Sequence, residues 1–198
     1  MIAITGSIGT GKSEVCAILK EKGYEVIDAD DIAHKILNEN SVQIRQIFGE
    51  DFLDKNNKPD RKKLSKLIFS CNEAKEKLEN LLHTRIFEKI ELEAKNLEKK
   101  NRIYFLDIPL LFESKNSYNY AFVCTVYAPK EIEIKRIMKR DNIKKEDALK
   151  NVNSQIDIEI KRQKSDFVID NSKDKKHLIF EVELFLEKLK EKYENCKI

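Results

Sequence analysis

Eight residues near the amino terminus, Gly6-Ser7-Ile8-Gly9-Thr10-Gly11-Lys12-Ser13, spell G-x-x-x-x-G-K-[ST]. The chemistry such a run performs is phosphate binding. Glycines let the backbone curl until successive N–H groups aim at one anion. A helix starting at the end of the run adds its positive terminus, and Lys12 adds a full charge at the β- and γ-phosphates of a nucleotide. Ser13 is placed to hold Mg²⁺ through its hydroxyl. The apolar Ile2-Ala3-Ile4 before the run and the helix-like Glu14-Val15-Cys16-Ala17-Ile18-Leu19-Lys20 after it supply a strand–loop–helix setting. That setting separates a phosphate loop from an ordinary glycine-rich turn.

Three carboxylates extend the candidate chemistry. Asp28-Ala29-Asp30 ends an apolar run at the sheet edge that carries the phosphate loop, where an aspartate can orient and deprotonate a hydroxyl acceptor. Alternate side chains of an extended segment share a face, so both can point at the site, although a helix starting at Asp31 would redirect the second. The plainer role for either is a helix N-cap. Asp107 ends Ile103-Tyr104-Phe105-Leu106-Asp107, the usual place of a carboxylate that reaches Mg²⁺, often through water. Its plainer role is a strand-end turn residue.

These side chains need a sheet to present them. Tyr24-Glu25-Val26-Ile27-Asp28, Ile103 to Asp107, Phe122-Val123-Cys124-Thr125-Val126-Tyr127 and Phe167-Val168-Ile169-Asp170 are continuous apolar runs separated by helical patterns. Such runs are strands of a parallel sheet buried on both faces, and the fold class is α/β with ligands at the carboxyl ends of the strands. The stretch from about Asp31 to Lys100 has no strand signal apart from a weak one at Phe52-Leu53. Leu78, Leu81, Leu82, Ile86 and Ile90 recur there at helical spacing, and Asn56-Asn57-Lys58-Pro59-Asp60 marks a turn, so it is a helical excursion from the sheet. A second strand-free segment, about 129–164, carries Lys135, Arg136, Lys139, Arg140, Lys144, Lys145, Lys161, Arg162 and Lys164. It reads as a solvated helical pair or, more sharply, as a lid whose arginines close over phosphates. Residues 174–192 form an amphipathic helix with Leu178, Val182, Phe185 and Leu189 as its stripe.

A chain of 198 residues has room for one core and an insertion. Lys and Arg number 38 against 35 Asp and Glu, a formal charge of only +3 with the signs interleaved, which argues against a nucleic-acid footprint. Cys16, Cys71, Cys124 and Cys196 are dispersed, as are His34, His83 and His177, so neither a zinc site nor a disulfide framework is indicated. Strand residues begin one position after Met1, leaving no room for a signal peptide, and no apolar run approaches a membrane span. A cytoplasmic protein is expected.

In order and spacing, the residues resemble the dephospho-coenzyme A kinase family nearly end to end. The resemblance rests on the phosphate loop, Val26 to Asp30, Phe48-Gly49, Asp60-Arg61 with Leu64 and Phe69, Leu81-Leu82-His83, Pro109-Leu110-Leu111-Phe112-Glu113, Arg136 with Met138 and Arg140-Asp141, Gln155, and Asp166 with Val168 to Asn171. It implies a three-layer P-loop kinase fold: a five-stranded parallel sheet flanked by helices, residues 1–30 and 101–198 as nucleotide core with the lid, and residues 31–100 as acceptor-binding insertion. The implied reaction moves the γ-phosphate of ATP, with Mg²⁺, to the ribose 3′-hydroxyl of dephospho-coenzyme A. By that resemblance Asp30 is the base, Lys12 and Arg140 stabilise the transferring phosphoryl group, and Ser13 ligates the metal, which Asp107 would join from its strand-end position. The stretch Gly6 to Glu14 and Asn171 would hold ATP, and Asp28, Arg61, His83 and the Pro109-Leu110-Leu111 corner the acceptor. Partners would be these two small molecules, with no nucleic acid or membrane, for a monomer or weak homo-oligomer.

Three positions depart from the family pattern: Glu14 replaces a usual Thr, Thr84 a usual Pro after His83, and Ser172 a usual Gly after Asn171. Another P-loop kinase, such as one for nucleoside monophosphates, is the nearest alternative, but the excursion pairs Arg61 and His83 with an apolar surface rather than a phosphate-reading arginine set. Asn57-Lys58-Pro59-Asp60 matches the guanine-reading N-K-x-D of GTP switches, yet it precedes the third strand and Asp107-Ile108-Pro109-Leu110 offers no D-x-x-G. A nucleic-acid-binding ATPase would need interleaved basic and aromatic residues.

Overall fold

The computed structural model describes residues 1–100, 102–114 and 118–195; Cys196 and the side chain of Phe69 lie outside the described set. The chain divides into two compact units, Met1–Ile27 with Asn101–Ile198, and Asp28–Lys100. The second unit begins three residues before the expected 31 because Asp28 is the N-cap of the helix that follows it. The strands are β1 (Ile2–Gly6), β2 (Glu25–Asp28), β3 (Tyr104–Asp107), β4 (Phe122–Tyr127) and β5 (Phe167–Asp170). The helices are α1 (Lys12–Glu21), α2 (Ala29–Glu39), α3 (Ser41–Phe48), α4 (Arg61–Ser70), α5 (Asn72–Glu98), α6 (Lys130–Asp141), α7 (Lys145–Asn153), α8 (Ile158–Lys164) and α9 (Lys175–Asn195).

The five strands form one sheet in the order β2-β3-β1-β4-β5, with β1 parallel to β3 and β4, and β4 parallel to β5. Strand alternation sorts the side chains onto two faces. Ile2, Ile4, Phe105, Cys124, Val126 and Ile169 pack with Val15, Ile18 and Leu19 of α1 and with Leu178, Val182, Phe185 and Leu189 of α9. On the opposite face Thr125 bonds the Lys161 carbonyl and the Ser165 hydroxyl, which brings α8 against β4. Among the described residues no helix is long and apolar enough to cross a membrane.

The segment 129–164 is not uniform. Helices α6 and α7 pair over a small core of Ile134, Ile137, Ala148 and Val152, whereas α8 packs under the sheet. The Lys161 side chain in α8 is fully buried, its ammonium 2.7 Å from Glu113 Oε1. Burying an ammonium costs several kcal/mol unless a carboxylate meets it, so the pair is a strict local constraint.

In the second unit α2 and α4 pack on the long α5, which runs past Thr84 without a break, as expected from the missing proline. Buried Asn40 locks the α2–α3 corner, donating from Nδ2 to the Ile36 carbonyl at 2.7 Å and accepting from Arg85. The weak strand signal at Phe52-Leu53 resolves into a 3₁₀ turn at Glu50–Phe52 and an isolated antiparallel bridge between Leu53 and Pro59. Asp60 of the N-K-x-D match is the N-cap of α4, accepting from the Lys62 and Lys63 N–H groups at 3.1 Å.

Lys161→Met should lower stability by about 3 kcal/mol, because it leaves the Glu113 carboxylate without its cation. Chemical denaturation followed by circular dichroism checks this, and a variant as stable as the parent would remove the pair from the constraints on the α8 layer.

Candidate active site

Parallel pairing decides which groups meet. The register sets Ile4 beside Asp107, so the carboxylate at the end of β3 lies next to the base of the loop that leaves β1. Lys12, the first residue of α1, ion-pairs with Asp107 Oδ1, and both side chains are largely buried. The second oxygen, Oδ2, accepts from the Cys16 thiol at 3.4 Å. Burial and the neighbouring Asp107 charge push that thiol far above its ordinary range, which keeps it protonated as a donor. The structure thus brings Lys12, Asp107 and the loop together, while Ser13 sits one residue on with an exposed side chain.

The loop itself is held by its carbonyls. Arg136 of α6 donates to the Thr10 carbonyl at 3.2 Å, to the Gly9 carbonyl at 3.4 Å and to the Asn171 carbonyl at 2.8 Å. Asn171, buried after β5, donates from Nδ2 to the Thr10 carbonyl at 2.7 Å. With these carbonyls held, and with the Thr10 N–H on the Ser7 carbonyl at 3.2 Å, the path of the loop backbone ahead of α1 is fixed. Gly11 closes the loop at φ +88°, and α1 has no side-chain N-cap there. A Cβ on Gly11 would stand 2.2 Å from Asn171 Nδ2, so only glycine fits.

The remaining expected residues are placed as follows. Asp28 accepts the Asp31 N–H at 2.9 Å as the N-cap of α2, the plainer of its two roles, while Asp30 stands exposed in the first turn of that helix. Arg61 opens α4 and His83 lies on the exposed side of α5. The Pro109 carbonyl accepts from the Thr5 hydroxyl at 3.2 Å, which ties the Pro109-Leu110-Leu111 corner to β1; Leu111 is buried and Leu110 exposed. Arg140 is exposed and forks onto its neighbour Asp141 at 2.7 and 2.8 Å. Glu14 is exposed, with the Lys175 ammonium 3.9 Å away, and Asp170 rather than a glycine turn takes the Ser172 N–H, at 2.9 Å.

Two residues have no site role in the sequence reading. Arg136, quoted there only for the family resemblance and as one basic residue among many in the lid, shares a helix face with Arg140 through their four-residue spacing. Glu133 is fully buried, neither carboxylate oxygen has a hydrogen-bond partner among the described residues, and its carbonyl lies 2.8 Å from where a Gly9 Cβ would be. Its position four residues before Ile137, on the packed stripe, was the available signal.

A glycine-rich loop opening α1, with a lysine and a strand-end carboxylate at the carboxyl edge of a parallel sheet, defines a P-loop nucleotide-binding protein of the small-molecule kinase type. The family model described as dephospho-CoA kinase matches residues 1–177. A dephospho-CoA kinase of Helicobacter pylori strain J99 is 46% identical over 191 residues, covering 95% of this chain and 96% of that protein. One of Sulfurimonas denitrificans is 44% identical over 194 residues, covering 97% and 95%. The solved dephospho-CoA kinase of Campylobacter jejuni superposes with a TM-score of 0.75 at 40% identity, over 95% of this chain and 96% of that one. The chain belongs to the dephospho-CoA kinase family.

Burial raises the Glu133 carboxyl to about 7 from its ordinary 4.5, against the pull of Lys161 and Lys130 and with a further push from Asp157. A raised carboxyl favours the protonated fold, so this stabilisation is complete below about pH 4.5 and is lost as pH rises through about 7. Glu133→Gln, neutral at every pH, should therefore gain in melting temperature over the parent by about 3 °C or more at pH 8 and much less at pH 5. An offset equal at the two pH values would contradict the buried, uncompensated carboxyl.

Proposed function

We propose that this chain transfers the γ-phosphate of ATP to the ribose 3′-hydroxyl of dephospho-coenzyme A, giving coenzyme A and ADP. The observation that carries this reading is the convergence of Lys12, Asp107 and the glycine-rich loop at the carboxyl edge of β1 and β3, in a chain of this family. The loop N–H groups and Lys12 bind and orient the β- and γ-phosphates, and Asn171 stands at the adenine side. Asp30 accepts the 3′-hydroxyl proton as the new O–P bond forms and the bond from the γ-phosphorus to the ADP oxygen breaks. Arg140 exchanges Asp141 for the transferring phosphoryl group as the α6–α7 pair closes. Arg61, His83 and the Pro109 to Leu111 corner receive the acceptor, with Asp28 setting the start of α2 so that Asp30 is presented.

Ser13 and Asp107 supply a hydroxyl and a carboxylate, hard oxygen donors of the kind Mg²⁺ takes, and they would hold that ion. When bound it neutralises charge on the phosphate oxygens. The working compartment is the cytoplasm, where the free thiols of Cys16, Cys71 and Cys124 stay reduced.

The test is ADP formation with dephospho-coenzyme A, AMP and adenosine as acceptors, with ³¹P NMR of the product. Dephospho-coenzyme A should exceed the others by orders of magnitude in kcat/KM, the added binding energy coming from remote contacts. Equal or faster phosphorylation of AMP would replace this reading with a nucleoside monophosphate kinase. Asp30→Asn should lower kcat by a factor on the order of 10² to 10⁴ with little change in the ATP KM, since the amide keeps size but takes no proton. If Asp28→Asn is instead the damaging change, the base has been assigned to the wrong aspartate.

A further inference from the structure

We infer that Gln155 is a positioning residue for the phosphate loop and that Ile8 is the peg joining the loop to the lid. The inference rests on the phosphotransfer reading only in taking ATP as the loop's ligand. Gln155 Oε1 accepts the Ile8 N–H at 2.9 Å across 147 positions of sequence. An N–H is received only by the oxygen of the amide, so the orientation of the Gln155 head is set. The Ile8 side chain packs on the α6–α7 core of Ile134, Ile137, Ala148 and Val152. Ile8 is therefore held twice by the lid, through its amide and through its side chain.

The Gln155 end is anchored in turn. The next residue, Ile156, donates its N–H to Glu113 Oε1 at 3.0 Å, and the same oxygen meets the buried Lys161 ammonium at 2.7 Å. The joint between α7 and α8 is thus clamped between the phosphate loop and the segment that follows β3. One consequence is that the Ile8 N–H is taken away from the anion-binding face, which fixes the path of the first half of the loop. A second is that a shift of the α6–α7 pair reaches the phosphates through Ile8. A cavity of about 250 Å³ lined by Ser7, Glu133, Gln155 and Asp157 lies beside the joint. The Ser7 hydroxyl on its wall is buried with no hydrogen-bond partner among the described residues.

The decisive experiment measures ATP binding without acceptor, so that a wrong acceptor assignment leaves it untouched. Gln155→Leu, which keeps bulk and loses the acceptor, should weaken ATP binding and raise the ATP KM about tenfold, the worth of one such hydrogen bond. The dephospho-coenzyme A KM should stay within about twofold, and Gln155→Glu, which retains an accepting oxygen, should bind ATP within about threefold of the parent. ATP binding by Gln155→Leu equal to the parent, or Gln155→Glu as damaged as Gln155→Leu, overturns the inference. Should Gln155→Leu fail to fold, amide hydrogen exchange on the nucleotide-free parent decides. Protection at Ile8 above that of Lys12 and Ser13 supports the peg, and equal exchange overturns it.

Discussion

The Lys12–Asp107 ion pair is the interaction on which the site depends. It exists because β1 and β3 are adjacent and parallel, with Ile4 in register with Asp107, so a residue eight positions beyond Ile4 returns to the carboxylate across one strand spacing. Two largely buried charges meeting there satisfy each other at a cost in desolvation that only the pairing offsets. The Cys16 thiol, kept protonated by its burial, holds the other carboxylate oxygen, so both oxygens of Asp107 are engaged.

The rest of the site is built from carbonyl capture. Arg136 and Asn171 pull the loop's carbonyls outward, and Gln155 takes one N–H on the lid side. Each device spends a side chain to fix backbone direction, and each comes from a different element: α6, the turn after β5, and the joint after α7. The loop is therefore preorganised by the fold as a whole, which is how an anion site avoids reorganising at the moment of reaction. Glu133 is the exception, a carboxylate packed on the inner face of α6 with no hydrogen-bond partner among the described residues, its carboxyl raised by burial.

Much of this was legible in the sequence, because strong local patterns and the tertiary structure agree. The phosphate motif, the buried strands and the stripe of α9 are each over-determined by residue type and period. Asp28 and Asp30 were less so. Both end the same strand, and what separates them is that α2 starts at Ala29, which makes Asp28 the cap; helix starts shift by a residue or two on weak local preferences. Arg136 and Gln155 are among the residues that carry the family resemblance, but the sequence gives them no role in the site, because their partners are backbone atoms 127 and 147 positions away. Lys161 reads as one more surface cation until Glu113 is found beside it.

The most direct test of the Lys12–Asp107 pair is the affinity of Asp107→Asn for ATP in the absence of divalent cation, measured by calorimetry beside its turnover with magnesium. Freed from its carboxylate, Lys12 should bind the phosphates as tightly as in the parent or tighter, while kcat falls on the order of 10² or more. Weaker metal-free ATP binding, or turnover that survives the change, would contradict the central place of the pair in the site.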